Sequence, residues 1–138
     1  MFNQDDQITL TLLSLEIIGS VTAIIGLILF IVASSAAKDI LLSSYFRRVQ
    51  VNSNINPDVT VLIGRLFFVI AGFVAAGTTT LRLIQRTQEV LRNKPGQGTL
   101  VPITYVTIGT WISLMGGIIA LVGDYRRVQE SPSSIPVY

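Results

Sequence analysis

Ile17-Ile18-Gly19-Ser20-Val21-Thr22-Ala23-Ile24-Ile25-Gly26-Leu27-Ile28-Leu29-Phe30-Ile31-Val32-Ala33-Ser34-Ser35-Ala36-Ala37 runs without a single charge. A helix of about 20 apolar residues rises ~30 Å, the thickness of a bilayer's hydrocarbon core, and soluble core helices rarely need that much. Two further stretches, residues 66–81 and 95–123, are also free of charge. The chain therefore reads as an all-α integral membrane protein. Its three transmembrane helices fall at about 14–37, 59–81 and 101–123. Short connections make this a small up-down-up bundle, one membrane domain over residues 1–138.

The wider composition agrees. Half of the 138 residues are hydrophobic and only 13% are charged, against about a quarter in ordinary globular chains. Mean hydropathy is +0.62. A net charge of +2, spread along the chain, is too weak to mark a nucleic-acid partner. There is no Cys and no His, which removes thiol nucleophiles, Cys/His zinc sites and His-ligated haem. No phosphate-binding glycine loop and no acidic metal cluster is present. The expectation is a protein that is not an enzyme and that carries neither cofactor nor metal.

Punctuation sets the boundaries. Asp5 and Asp6 make the start acidic, unlike a secretory leader, so the first helix is expected to remain uncleaved. That helix begins near Gln7 or Ile8 and continues through Lys38-Asp39-Ile40-Leu41-Leu42 as an extension. Asn52-Ser53-Asn54-Ile55-Asn56 is a polar turn. Asn56-Pro57-Asp58 then combines a capping side chain, a proline at the first helical position and an acid at the positive dipole end. The second helix extends past its span through Arg82, Arg86, Glu89 and Arg92, with Arg86 and Glu89 spaced to pair. Lys94-Pro95-Gly96-Gln97-Gly98 ends it. The third runs from Leu100 or Pro102 to Gly123, and residues 128–138 form a flexible, disordered tail.

Two matching segments follow the first and third helices: Phe46-Arg47-Arg48-Val49-Gln50 and Tyr125-Arg126-Arg127-Val128-Gln129. With Tyr45, they read as interfacial anchors that contact lipid, anionic headgroups or a partner. Lys38, Arg47, Arg48, Arg126 and Arg127 then share one side, and Arg82, Arg86, Arg92 and Lys94 the other. The first helix has acids before it and basic residues after it. This puts the N-terminus outside and the C-terminus in the cytoplasm of a cell membrane.

Small residues recur at helix-contact spacing: Gly19 and Ala23, then Gly64, Gly72 and Ala76, then Gly109, Ser113 and Gly117, with Gly116 and Ala120 as a neighbouring ridge. Glu16 and Arg65 are the charges inside the spans, each on a face shared with small residues. Helix rise puts them ~8–10 Å apart in depth, leaving open whether they pair or reach their own interfaces. Threonines 78–80, 104, 107 and 110 are expected to bond their own helix backbone.

Taken together, the residues point to a protein that works by helix–helix assembly. It would be an accessory or structural subunit of a membrane complex, or a homo-oligomer. The alternative is a holin-like or small-channel pore former. The partners implied are the bilayer, other membrane subunits or a second copy.

Overall fold

A computed structural model of the protein describes residues 4–46, 55–92 and 99–130. They form three helices: α1 (Gln4–Phe46), α2 (Pro57–Leu91) and α3 (Val101–Glu130). There is no strand among the described residues. All three helices are long and apolar enough to cross a membrane. Their 43, 35 and 30 residues rise ~65, ~52 and ~45 Å, each more than a hydrocarbon core is thick.

The start of α2 follows from its sequence. Asn56 has an extended backbone, and its side-chain oxygen accepts from the N–H groups of Asp58 and Val59, with Pro57 at the first turn. The expected end is close as well, since α2 stops at Leu91 with Arg92 as its cap. Residues 93–98, residues 47–54 with Arg47, Arg48 and the first three residues of the polar turn, and residues 131–138 of the expected tail lie outside the described residues. Two bounds differ from expectation. α1 begins at Gln4 instead of Gln7 or Ile8, and α3 continues beyond Gly123 to Glu130. Residues 128–130 are therefore helix, not tail. Two ion pairs tie the last turns of α3 to the first turns of α2: Arg65 to Asp124 at 3.0 Å and Arg127 to Asp58 at 2.6 Å.

The three helices are arranged as a row. α2 packs against both neighbours, while no Cα of α1 comes within 8 Å of a Cα of α3. Contacting residues run in reverse order on adjacent helices: Gly19 meets Val74 and Gly26 meets Gly64, while Gly72 meets Leu114 and Asp58 meets Arg127.

The side chains are distributed inside-out relative to a soluble bundle. Ile17, Ile31, Ile112 and Ile119 are each at least 65% exposed, whereas Ala33 and Ala76 are sealed at 1% and 0%. Most of what is buried is small, and most of it repeats every seven residues. On α1 the buried series is Leu12, Gly19, Gly26 and Ala33. On α2, Gly64, Ala71 and Thr78 are buried as one series and Val69 with Ala76 as another. On α3 it is Thr107 and Leu114, with Leu121 packed on the core. A period of seven is that of helices crossing at about 20°, and small residues at the seam let the backbones approach.

The closest approach is at Gly26. A Cβ there would lie 2.8 Å from the Phe68 ring and 2.9 Å from the Gly64 carbonyl oxygen, while a Cβ on Gly77 would meet nothing within 4 Å. Gly26→Ala is therefore expected to cost about 1–3 kcal/mol through overpacking. Gly77→Ala should be neutral or stabilising by up to about 1 kcal/mol. Reversible unfolding of both variants in detergent micelles checks the contrast.

Candidate functional site

The gap between α1 and α3 is concave. It is a groove of about 670 Å³ whose floor is α2, through Phe68, Gly72, Ala75 and Thr79. One wall is Gly19, Ser20 and Ala23 of α1, and the other is Ser113, Gly116 and Gly117 of α3. Most of this lining is small, so the groove exists because three helices leave their small-residue faces turned toward one another without closing on them.

Charges mark the two ends. Glu16 and Arg65 both line the groove but do not pair with each other. Glu16 accepts from Arg82 at 2.7 Å, across α1 and α2. Arg65 donates through Nε to Asp124 at 3.0 Å, across α2 and α3. Its guanidinium also lies 4.9 Å from the centre of the Phe30 ring, and Phe30 stacks on Phe68 with centroids 5.4 Å apart. Arg65 therefore touches all three helices. The ~8–10 Å depth gap taken from sequence is too small because it lacked the helix register. Arg65 stands level with Phe30, about 20 Å of helix rise from Glu16 on the same α1.

The ion pairs matter because α2 is short of uncharged residues. Residues 66–81, between Arg65 and Arg82, rise only ~24 Å, less than a hydrocarbon core. Each arginine is matched by a carboxylate from a neighbouring helix, so both ends present a neutral, hydrogen-bonded pair. Asp124 is the better shielded partner, with its side chain 16% exposed. Arg86 and Glu89 pair as their spacing indicated, but loosely, at 3.5 Å.

Threonines tie α2 to α3 at the other end. Most hydroxyls bond their own helix, as expected: Thr80 donates to the Ala76 carbonyl and Thr104 to that of Leu100. Three contacts go further. The Thr79 and Thr110 hydroxyls meet at 3.0 Å, the Thr107 hydroxyl reaches the Thr79 carbonyl at 3.3 Å, and the Trp111 indole N–H donates to the Thr80 hydroxyl at 3.1 Å. These residues hold helices together and are fully engaged in doing so.

The small residues named from sequence differ in what they meet. Gly19 and Gly64 close on α1–α2 contacts. Gly72, Ala76 and Gly117 serve the α2–α3 side, so Gly64, Gly72 and Ala76 are not one face, because a central helix is buried on two sides. Ala23 and Ser113 line the groove, and a Cβ on Gly109 would meet nothing within 4 Å. Tyr45, Tyr125 and Arg126 are exposed, while Arg127 is paired. Phe46 closes α1. Phe30, Asp124 and Gly26 escaped the sequence reading, and Arg82 was read only as part of the extension of α2 and not as a partner of Glu16. Arg82 and Asp124 each stand one residue past an uncharged stretch, and Gly26 continues the seven-residue series from Gly19.

The groove's carboxylate and its guanidinium are each held by a counter-charge, and no cluster of three acidic residues that could hold a metal occurs among the described residues. No protein family, curated protein or solved structure matches the chain.

Because Arg65 is linked to both neighbours, removing only Asp124 leaves a cation without its carboxylate. Asp124→Leu is expected to destabilise more than the double change Arg65→Leu with Asp124→Leu. The coupling in a double-mutant cycle should be about 1 kcal/mol or more, against roughly 0.3 for the exposed Arg86–Glu89 pair. Unfolding titrations in mixed micelles give both numbers.

Proposed function

We propose that the chain is a small, non-enzymatic multi-pass membrane protein that works by accepting a further transmembrane helix, from a larger membrane complex or from a second copy. The three helices run up, down and up, with the N-terminus outside and the C-terminus in the cytoplasm of the cell membrane. The parts of α1 and α2 beyond the spans extend past the bilayer.

The observation that carries this is on α3. Gly109, Gly116 and Gly123 recur every seven residues, and a Cβ on any of them would meet nothing within 4 Å. Ser113 and Ala120 fall between them on the same face. The comparable series on α1 and α2 are closed by a neighbouring helix, at Gly19, Gly26 and Gly64. The α3 series therefore has the pattern of a packing seam without its second helix. Ser113 and Gly116 belong both to this seam and to the groove wall, so a helix seated there would enter the groove beside α2. Without a hydrophobic drive between helices in lipid, close backbone approach of this kind is the main source of affinity.

The pore reading has weaker support. Its polar path would have to come from the groove, where Glu16, Arg65, Ser20, Thr78 and Thr79 already bond within the chain.

Gly116→Ile tests the assembly reading. It is expected to reduce the fraction of protein extracted from membranes in its larger complex, while leaving the unfolding midpoint of the isolated chain in place. Gly117 is a poorer probe, because a Cβ there already lies 3.6 Å from Val69 within the chain. An unchanged complex with Gly116→Ile, measured by mass after mild extraction, would count against the reading.

A further inference from the structure

A second, smaller groove lies between α2 and α3 near the start of α2. It encloses about 380 Å³ between Leu62, Ile63 and Leu66 on one helix and Leu121, Val122 and Tyr125 on the other, and its wall is apolar throughout. Leu66 and Val122 are 47% and 51% exposed, so the slot is open to the surroundings of the helices. It is one to two helical turns long. That is too short to seat a helix ~10 Å across, but it suits the first methylenes of an acyl chain.

The charges around it are unequal. Arg65 is paired with Asp124 and Arg127 with Asp58, both across this same α2–α3 junction. Arg126 is exposed and has no carboxylate within salt-bridge distance among the described residues. It stands four residues beyond Val122, one turn further along the same flank of α3. Tyr125, 54% exposed, contributes its ring to the slot. An apolar slot edged by a tyrosine, with an arginine one turn beyond Val122, matches the chain-to-phosphate order of a phospholipid.

We infer that this slot and Arg126 form a binding site for an anionic phospholipid, with an acyl chain against Leu66 and Val122 and the phosphate held by Arg126. Charge complementarity selects the anionic headgroup, because among the described residues Arg126 is the cation at this junction without a salt-bridge partner. The site lies on a different pair of helix faces from the α3 glycine seam and does not rest on the assembly reading.

The test uses the full chain in mild detergent supplied with equal amounts of phosphatidylglycerol and phosphatidylcholine. Retained lipid is counted by native mass spectrometry. The wild type should retain the glycerol lipid about five-fold over the choline lipid. Arg126→Gln should abolish that preference and Arg126→Lys should keep it. Arg92→Gln, at the opposite end of α2, should leave it unchanged. Leu66→Trp and Val122→Trp, both at exposed positions, should reduce retention of either lipid while helix content stays constant. A preference that survives Arg126→Gln, or that is lost equally with Arg92→Gln, would overturn the site. Undiminished retention in both tryptophan variants would do the same. The same spectra report oligomer mass, so a change in assembly is read separately from lipid loss.

Discussion

Apolar helices in lipid gain little by touching one another, since a hydrocarbon tail is as good a neighbour for isoleucine as another isoleucine. Every helix contact in this chain must therefore come from close backbone approach or from polar links. Both are concentrated on α2. Its Gly64, Ala71 and Thr78 series turns to α1, and Val69 with Ala76 turns to α3. One helix with two seams requires small residues on two sides, and the outer helices then have no need to meet. The row, and the groove that the row leaves open, follow from that requirement.

Polar links hold the ends of the row where small residues cannot. Arg65 is the most connected of them, since it bonds Asp124 on α3 and lies over Phe30 on α1. At the other end Arg82 takes Glu16 from α1, while Thr79, Thr80, Thr107, Thr110 and Trp111 link α2 to α3. Each link also satisfies a polar group that would be costly in hydrocarbon. Stability and compatibility with an apolar surrounding are thus served by the same residues.

Much of this was legible in the sequence. Uncharged length marks three helices, and Asn56-Pro57-Asp58 marks the start of α2, because both signals are local. Neighbour relations were not legible. Gly64, Gly72 and Ala76 look like one ridge on a helical projection, yet they serve two partners, because sequence does not say that α2 lies in the middle. Glu16 and Arg65 looked like potential partners because they were the charges inside the expected spans. Register instead gives each the charge lying just past the run of a neighbouring helix. The length of α3 was missed for the same reason: its last turns are held by Asp58 and Arg65, far away in sequence.

The central claim is the row itself, with α2 between two helices that do not meet. The chain has no cysteine, so introduced pairs can be read without background. A Cβ on Gly19 would lie 3.4 Å from the Val74 Cβ, and one on Gly72 would lie 3.9 Å from the Leu114 Cβ, both at about disulfide range. The decisive measurement is oxidative cross-linking in bilayers of three double-cysteine variants: positions 19 with 74, 72 with 114, and 23 with 116. The first two are expected to close rapidly within one chain. The third, spanning α1 to α3, should not close within one chain. Equally rapid intramolecular closure of the third pair would show a triangular bundle without the groove, and would contradict the account.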